Sequence, residues 1–178
     1  MTHPIATITR RARGLALAAW FCGWLAATGP AHALDAPTGK VLLSVTGHIT
    51  VRNGADAAAF DMALLEKLPQ FSFHTRTPWY PEPRKFTGVR LRDLLAALGA
   101  PARANVSAEA LNDYRALIPP EDWADHDVMV AYFLDDAPML VRDKGPLVII
   151  YPFDAHPKLR TAVRYSRAVW QLKGIDVR

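Results

Sequence analysis

Apolar positions recur with two different periods along Phe71–Leu98. The first half is strand-like and breaks at Pro78. The second half carries Val89, Leu91, Leu94, Leu95 and Leu98 at helical spacing, one apolar face of an amphipathic helix. Gly88 leads into that predicted helix, and Gly99 ends it where a left-handed residue is favoured. Between the halves His74, Thr75, Arg76, Thr77, Trp79 and Tyr80 crowd one predicted short loop. Ring faces and donors set between a strand and a rigid helix suit a small polar ligand. They also suit a surface loop whose Trp and Tyr cover the core.

The flanking pattern predicts strands more often than helices. Val41–Val51 alternates, with a kink at Gly47. Ala57–Leu68 places Phe60, Leu64, Leu65 and Leu68 on one side and is predicted as a short helix, with Asp61 near its start. Pro101–Val106 links into a short strand, and Ala108–Asp113 is predicted as a turn before the strand Tyr114–Pro119. Pro120–Asp125 is a helical turn with Glu121 and Asp122 at its start. Val128–Leu134 and Leu147–Tyr151 are apolar runs of buried strands, with a brief strand at Met139–Arg142 and a turn at Asp143–Pro146 between them. Pro152–Lys158 is an irregular loop, and Ile175–Val177 is predicted as a final edge strand. The class that follows is α+β with mixed β-sheets and a few short helices.

Residues 1–33 stand apart from this pattern. Arg10, Arg11 and Arg13 precede an apolar stretch, Gly14–Thr28, that is short for a bilayer span, and Ala31-His32-Ala33 has the small-x-small form of a cleavage site. This is a secretory signal peptide, with residues 34–178 as the single mature domain; the other reading is a retained anchor. Trp20 and Phe21 precede Cys22 where lipoprotein attachment needs small residues. Loss of the leader removes three arginines and no acid, so the net charge falls from +4 to +1. With no Lys/Arg run, zinc spacing or basic helix, nucleic-acid binding is rejected. Cys22 is the one cysteine, so residues 34–178 offer no disulfide, thiol nucleophile or metal thiolate. His48, His126 and His156 show no ligand spacing and are read as surface or loop residues.

An ordered series of short motifs carries a family likeness. It runs through Phe86-Thr87-Gly88-Val89-Arg90-Leu91 with Asp93-Leu94-Leu95, Asp113-Tyr114, Ile118-Pro119 and Val130-Ala131-Tyr132. It continues through Arg142-Asp143-Lys144-Gly145-Pro146-Leu147, Tyr151-Pro152, Ser166 to Trp170 and Ile175-Asp176-Val177. The chain thereby resembles the sulfite-oxidase-type molybdopterin-binding domain family, which implies that fold. In that family a loop cysteine ligates molybdenum; the matching place here falls near Thr75–Thr77. Val148 and Val169 stand where the family carries the arginine and lysine expected to hold the cofactor phosphate. Together with the signal peptide, Thr77-Pro78-Trp79 and Val169-Trp170-Gln171-Leu172 give a closer resemblance to small periplasmic proteins of the PruR type. That resemblance implies a pterin without metal as ligand. It implies as partner the periplasmic domain of an inner-membrane signalling protein that makes or degrades cyclic di-GMP. The alternative it leaves is a molybdopterin-dependent periplasmic oxidoreductase, or a non-catalytic subunit of one.

A pterin presents a flat bicycle and a guanine-like edge, so it needs stacking faces, an acceptor for its amino group and donors for its carbonyl. Trp79 and Tyr80 are the stacking candidates, with core packing as the other reading. Arg76 is a donor or a solvated arginine, and Thr75 and Thr77 are hydroxyl contacts or plain strand formers. Asp113 is the candidate acceptor for the amino edge, or a turn residue beside Asn112. Tyr114 matches a family tyrosine near the cofactor, and Lys144 matches a family histidine on the phosphate side. His74 is kept beside the site, while Arg167 and Trp170 belong to the closing motif, with Trp170 read as core.

Overall fold

A computed structural model describes residues 34–178; the predicted leader, residues 1–33, lies outside them. Strand β1 (Leu43–Gly47) pairs antiparallel with β2 (Ala58–Phe60) and parallel with the last strand, β10 (Leu172–Val177). β10 in turn pairs with β5 (Val106–Ala110), and β5 with β6 (Arg115–Ile118). This first sheet has the order β2-β1-β10-β5-β6. The C-terminal strand is therefore central, not the predicted edge strand. Leu172, Ile175 and Val177 enter the core from it, and neighbours on both sides satisfy its backbone.

The second sheet is built on the hairpin of β3 (Gln70–Thr77) and β4 (Tyr80–Arg90). β4 pairs with β7 (Met129–Leu134), whose far edge is shared by β8 (Ala137–Pro138) and β9 (Val148–Ile150). The predicted loop after Pro78 is thus a tight turn, with Pro78 and Trp79 at its tip and a long strand beyond. Pro81 and Pro83 hide that strand in the sequence. β7 meets β4 only over Phe86–Arg90, so the proline-bearing half has one strand neighbour and needs fewer amide donors. The Tyr80 amide donates to Thr77 Oγ1 at 2.9 Å, which closes the turn.

Four short helices complete the chain: α1 (Met62–Glu66), α2 (Leu91–Ala97), α3 (Pro120–Trp123) and α4 (Ala162–Arg167). The helix predicted over Ala57–Leu68 is shorter because Ala58–Phe60 pairs with β1 and Asp61 caps what remains. Asp61 accepts from the Leu64 amide at 2.9 Å, as an N-cap does, and from the Gly39 and Thr38 amides at 2.8 and 2.9 Å. These backbone donors, Gly39 first, hold its carboxyl below the ordinary carboxylate range. α2 buries Leu91, Leu94 and Leu95 as its periodicity predicts, and Gly99 follows it in the left-handed region at φ +63°. The brief strand predicted at Met139–Arg142 is replaced by β8 and a 3-10 turn at Val141–Asp143. One continuous apolar core joins both sheets and α2. Among the described residues no helix is long and apolar enough to cross a membrane.

Gly88 does not lead into α2; it lies in β4 against the backbone of β7. A Cβ there would sit 2.0 Å from the Val130 carbonyl oxygen and 2.6 Å from Ala131 Cα. Neither atom can turn away, so the strands must separate. Gly88→Ala is expected to lower stability by about 3 kcal/mol. A urea midpoint unchanged in this variant would show that the sheet yields freely.

Candidate functional site

Three turns bring one cluster of side chains together. The β3–β4 turn supplies Trp79 and Tyr80. The loop before β9 supplies Lys144, held in the left-handed region at φ +75°. The segment between α4 and β10 supplies Trp170. Trp79 and Trp170 meet edge to face, with ring centroids 4.9 Å apart at 70°. Lys144 Nζ lies 4.9 Å from the Tyr80 ring centroid and 4.8 Å from that of Trp170, so the ammonium sits among aromatic faces. Burial pushes the Tyr80 phenol above its ordinary range. Trp170 is 39% exposed, so it is a wall open to solvent and not the core residue predicted.

Gln171 ties this cluster to its surroundings. Its backbone is also left-handed, at φ +50°. Its amide donates to the Lys144 carbonyl at 2.9 Å, its side-chain amide donates to the Val141 carbonyl at 2.8 Å, and its carbonyl accepts from the Leu111 amide at 2.9 Å. Beside Trp170 a recess of about 240 Å³ opens, lined by Asn112, Tyr114, Tyr165, Ser166 and Gln171. No charged side chain lines it. The Tyr114 hydroxyl donates to the Ser166 carbonyl at 2.8 Å and fixes the ring at the rim. Flat faces beside amides and hydroxyls suit an uncharged, polar, planar ligand.

The predicted site residues divide accordingly. Trp79, Tyr80, Lys144 and Tyr114 surround or adjoin the cluster. Thr75 does not reach it: the residue is fully buried, and its hydroxyl accepts from the Asp154 amide at 3.1 Å and donates to the Arg76 carbonyl at 3.2 Å. Thr77 is likewise buried, its hydroxyl accepting from the Tyr80 amide. Thr77 serves the hairpin's own turn, and Thr75 ties β3 to the loop after β9. Arg76 turns to Asp154, which accepts from its amide at 3.0 Å and lies 3.4 Å from its guanidinium. Asp113 is set apart at the β5–β6 turn with φ +64° and a side chain 78% exposed. Lys173 donates to it at 2.7 Å and holds its carboxyl below the ordinary range. The carboxylate turns to Lys173 and is not part of the recess lining. His74 is an exposed residue of β3 opposite Lys85.

α4, which carries Ser166 to the recess, is anchored by a buried carboxylate that sequence reasoning read only as a helix-start acid. Asp122 accepts from Arg164 Nε at 3.1 Å, from Arg167 at 2.7 Å and from the Tyr151 hydroxyl at 3.1 Å. Burial, and then the Asp122 charge, push the Tyr151 phenol far above its ordinary value. Asn112, Tyr165, Ser166 and Gln171 were not predicted; polar residues on separate turns leave no periodic signal.

The chemistry available for a metal-bearing pterin was tested on the residues present. Val148 and Val169 are buried apolar residues, so no cation stands where the family's phosphate ligands are expected. Among the described residues there is no cysteine, and no group of three or more His, Cys, Asp or Glu side chains converges to hold a metal. Ligation of molybdenum by a protein thiolate does not fit the described residues.

His126, between α3 and β7, packs against His156 of the loop after β9, with ring centroids 4.8 Å apart. Burial, and then the neighbouring His156 and Arg164, lower the proton affinity of His126 below that of a free histidine. The unfolded chain therefore binds the extra proton first as pH falls below about 6.5. Stability is expected to be full above that pH and to decline below it, towards the depressed folded value. His126→Gln should flatten the slope of stability against pH between 7 and 5 by up to one proton, measured by urea melts across that range.

Comparison with known proteins adds the following. A family model described as the oxidoreductase molybdopterin binding domain matches residues 58–154, more than half of the chain. The sulfane dehydrogenase SoxCD from Paracoccus pantotrophus is similar in structure, with a TM-score of 0.57 and 17% identity. That likeness covers 82% of this chain and 40% of that one, and it is a likeness of fold. The search of curated proteins found no match.

Proposed function

Because this chain belongs to the oxidoreductase molybdopterin-binding domain family, we propose that it is a periplasmic protein that binds a pterin without metal. In this reading it regulates a membrane-bound cyclic di-GMP synthase or phosphodiesterase through that enzyme's periplasmic domain. The observation that carries the ligand part is the aromatic cluster of Trp79, Tyr80 and Trp170, opening onto a recess with no charged lining. The ring inserts beside Trp170, and Lys144 moves off the faces it now covers. Asn112, Tyr114, Ser166 and Gln171 supply neutral hydrogen bonds to polar groups on the ring or its side chain. Buried valines at 148 and 169 favour a ligand without phosphate. The leader over residues 1–33 supports the periplasmic assignment. Regulation follows by population shift: the partner must bind the pterin-loaded form with a different affinity from the empty one.

A second reading, a molybdopterin-dependent oxidoreductase or a non-catalytic subunit of one, is favoured by the family match, which spans the β3–β4 hairpin and Lys144. One experiment separates them. Protein purified from the periplasm of its own host is denatured, the released small molecules are oxidised and read by fluorescence and mass, and molybdenum is assayed on the same sample. One phosphate-free pterin per chain without molybdenum is the expected result. Stoichiometric molybdenum makes the protein an oxidoreductase, and neither ligand leaves the subunit reading.

A further inference from the structure

We propose that His126 and His156 form a transition-metal site of two imidazoles completed by solvent. The site is separate from the aromatic cluster and does not depend on the pterin reading. His126 lies between α3 and β7, and His156 lies in the loop after β9, so no sequence spacing links them. The fold brings their rings to a centroid separation of 4.8 Å with a tilt of 54°. His126 Nδ1 is shielded from solvent and has no hydrogen-bond partner. The one other such side-chain atom among the described residues is the Tyr132 hydroxyl. A buried polar atom left unpaired calls for an explanation, and a bound ion beside it is one.

The separation fits chelation. With metal–nitrogen bonds of about 2.0–2.1 Å, two imidazoles on one tetrahedral ion have ring centres roughly 5 Å apart. Burial also disfavours the protonated ring, which leaves His126 with the lone pair a metal needs. The charges facing the pair are mixed. Arg164 approaches from α4 and opposes a cation; Asp122 and Asp125, in and just after α3, favour one. Asp122 is not free to ligate, and Asp125 is an exposed carboxylate turned toward Arg103. Asp122 is engaged by Arg164, Arg167 and Tyr151, and Asp125 lies 3.7 Å from Arg103. Both histidines are part-exposed although Nδ1 of His126 is shielded, so water entering with the ion fills the remaining positions. Imidazole ligands select copper, zinc or nickel over calcium or magnesium. A bound ion would clip the loop after α3 to the loop carrying Phe153, whose ring packs 4.8 Å from Tyr165 in the recess wall.

The test uses the untagged mature chain, residues 34–178, stripped with chelator and titrated with Cu²⁺ and, separately, Zn²⁺. One equivalent of either ion is expected to bind, with two imidazole nitrogens coupled to Cu²⁺ in pulsed paramagnetic resonance. His126→Gln and His156→Gln should each weaken binding by about tenfold or more, since outer-shell changes alone cost about 10- to 100-fold, while His48→Gln leaves it unchanged. Circular dichroism of each variant checks the fold. The nitrogen count on the native chain stands even where a variant fails to fold. Fewer than two coupled nitrogens, or binding undiminished in folded His126 and His156 variants, would mean adventitious surface binding only and would overturn the site.

Discussion

Asp122→Ala is expected to lower the stability of the protein by about 3–5 kcal/mol, the cost of breaking a buried charge network by removing one partner. Asp122 is 1% exposed and receives three hydrogen bonds, from Arg164, Arg167 and Tyr151. Without it two guanidinium groups face each other and a buried phenol loses its acceptor. The arginine side chains keep 30% and 24% exposure, so water relieves part of the repulsion and the lower half of that range is expected. Against a typical stability of about 5–15 kcal/mol this is a large fraction. The same substitution made where Arg164 and Arg167 are already methionine should cost much less, because no uncompensated charge remains. Urea melts of the four chains give the coupling directly. A loss below about 1 kcal/mol in the single variant would show that the network is solvated and does not anchor α4.

Trp170→Ala is expected to weaken pterin binding by roughly 5- to 150-fold, the range that follows from about 1–3 kcal/mol for stacking a flat base on one aromatic side chain. Trp170 is the ring shared by the cluster and the recess: Trp79 packs against it edge to face, Lys144 lies over its face, and it forms one wall of the cavity. Trp170→Phe keeps a face and should retain most of the affinity. Asp113→Ala should leave affinity unchanged, since its carboxylate faces Lys173. Calorimetric titration with a reduced pterin distinguishes these outcomes. Equal affinities for the native chain and Trp170→Ala would remove this residue from the site, and a large loss in Asp113→Ala would restore the acceptor role expected from the sequence.

The contrast between Asp113 and Trp170 shows how far a site can be read before folding. Trp79, Tyr80 and Lys144 were legible because each sits at a turn that local chemistry announces. Thr75, Thr77 and Arg76 are in the same hairpin, yet the alternation of β3 and the needs of the turn send their polar groups to the Asp154 and Tyr80 amides and the Asp154 carboxylate. Which face a strand residue takes depends on register, and register is set by the partner strand.

From its own pattern the chain determined the α+β class with mixed sheets, and its motifs by resemblance implied a sulfite-oxidase-like molybdopterin-binding fold, which the family match and the structural likeness bear out. It also determined the apolar face of α2, the buried strands β7 and β9, and the lack of any thiolate in residues 34–178. These are properties of neighbouring residues, and periodicity or composition states them directly. Tertiary structure alone decided that a proline-rich segment is a strand, that the last strand is central, that Asp122 gathers two arginines, and that His126 meets His156. Each of these rests on contacts between residues far apart in sequence. Backbone pairing and desolvation there outweigh local preference, and no local pattern encodes which distant partner will be met.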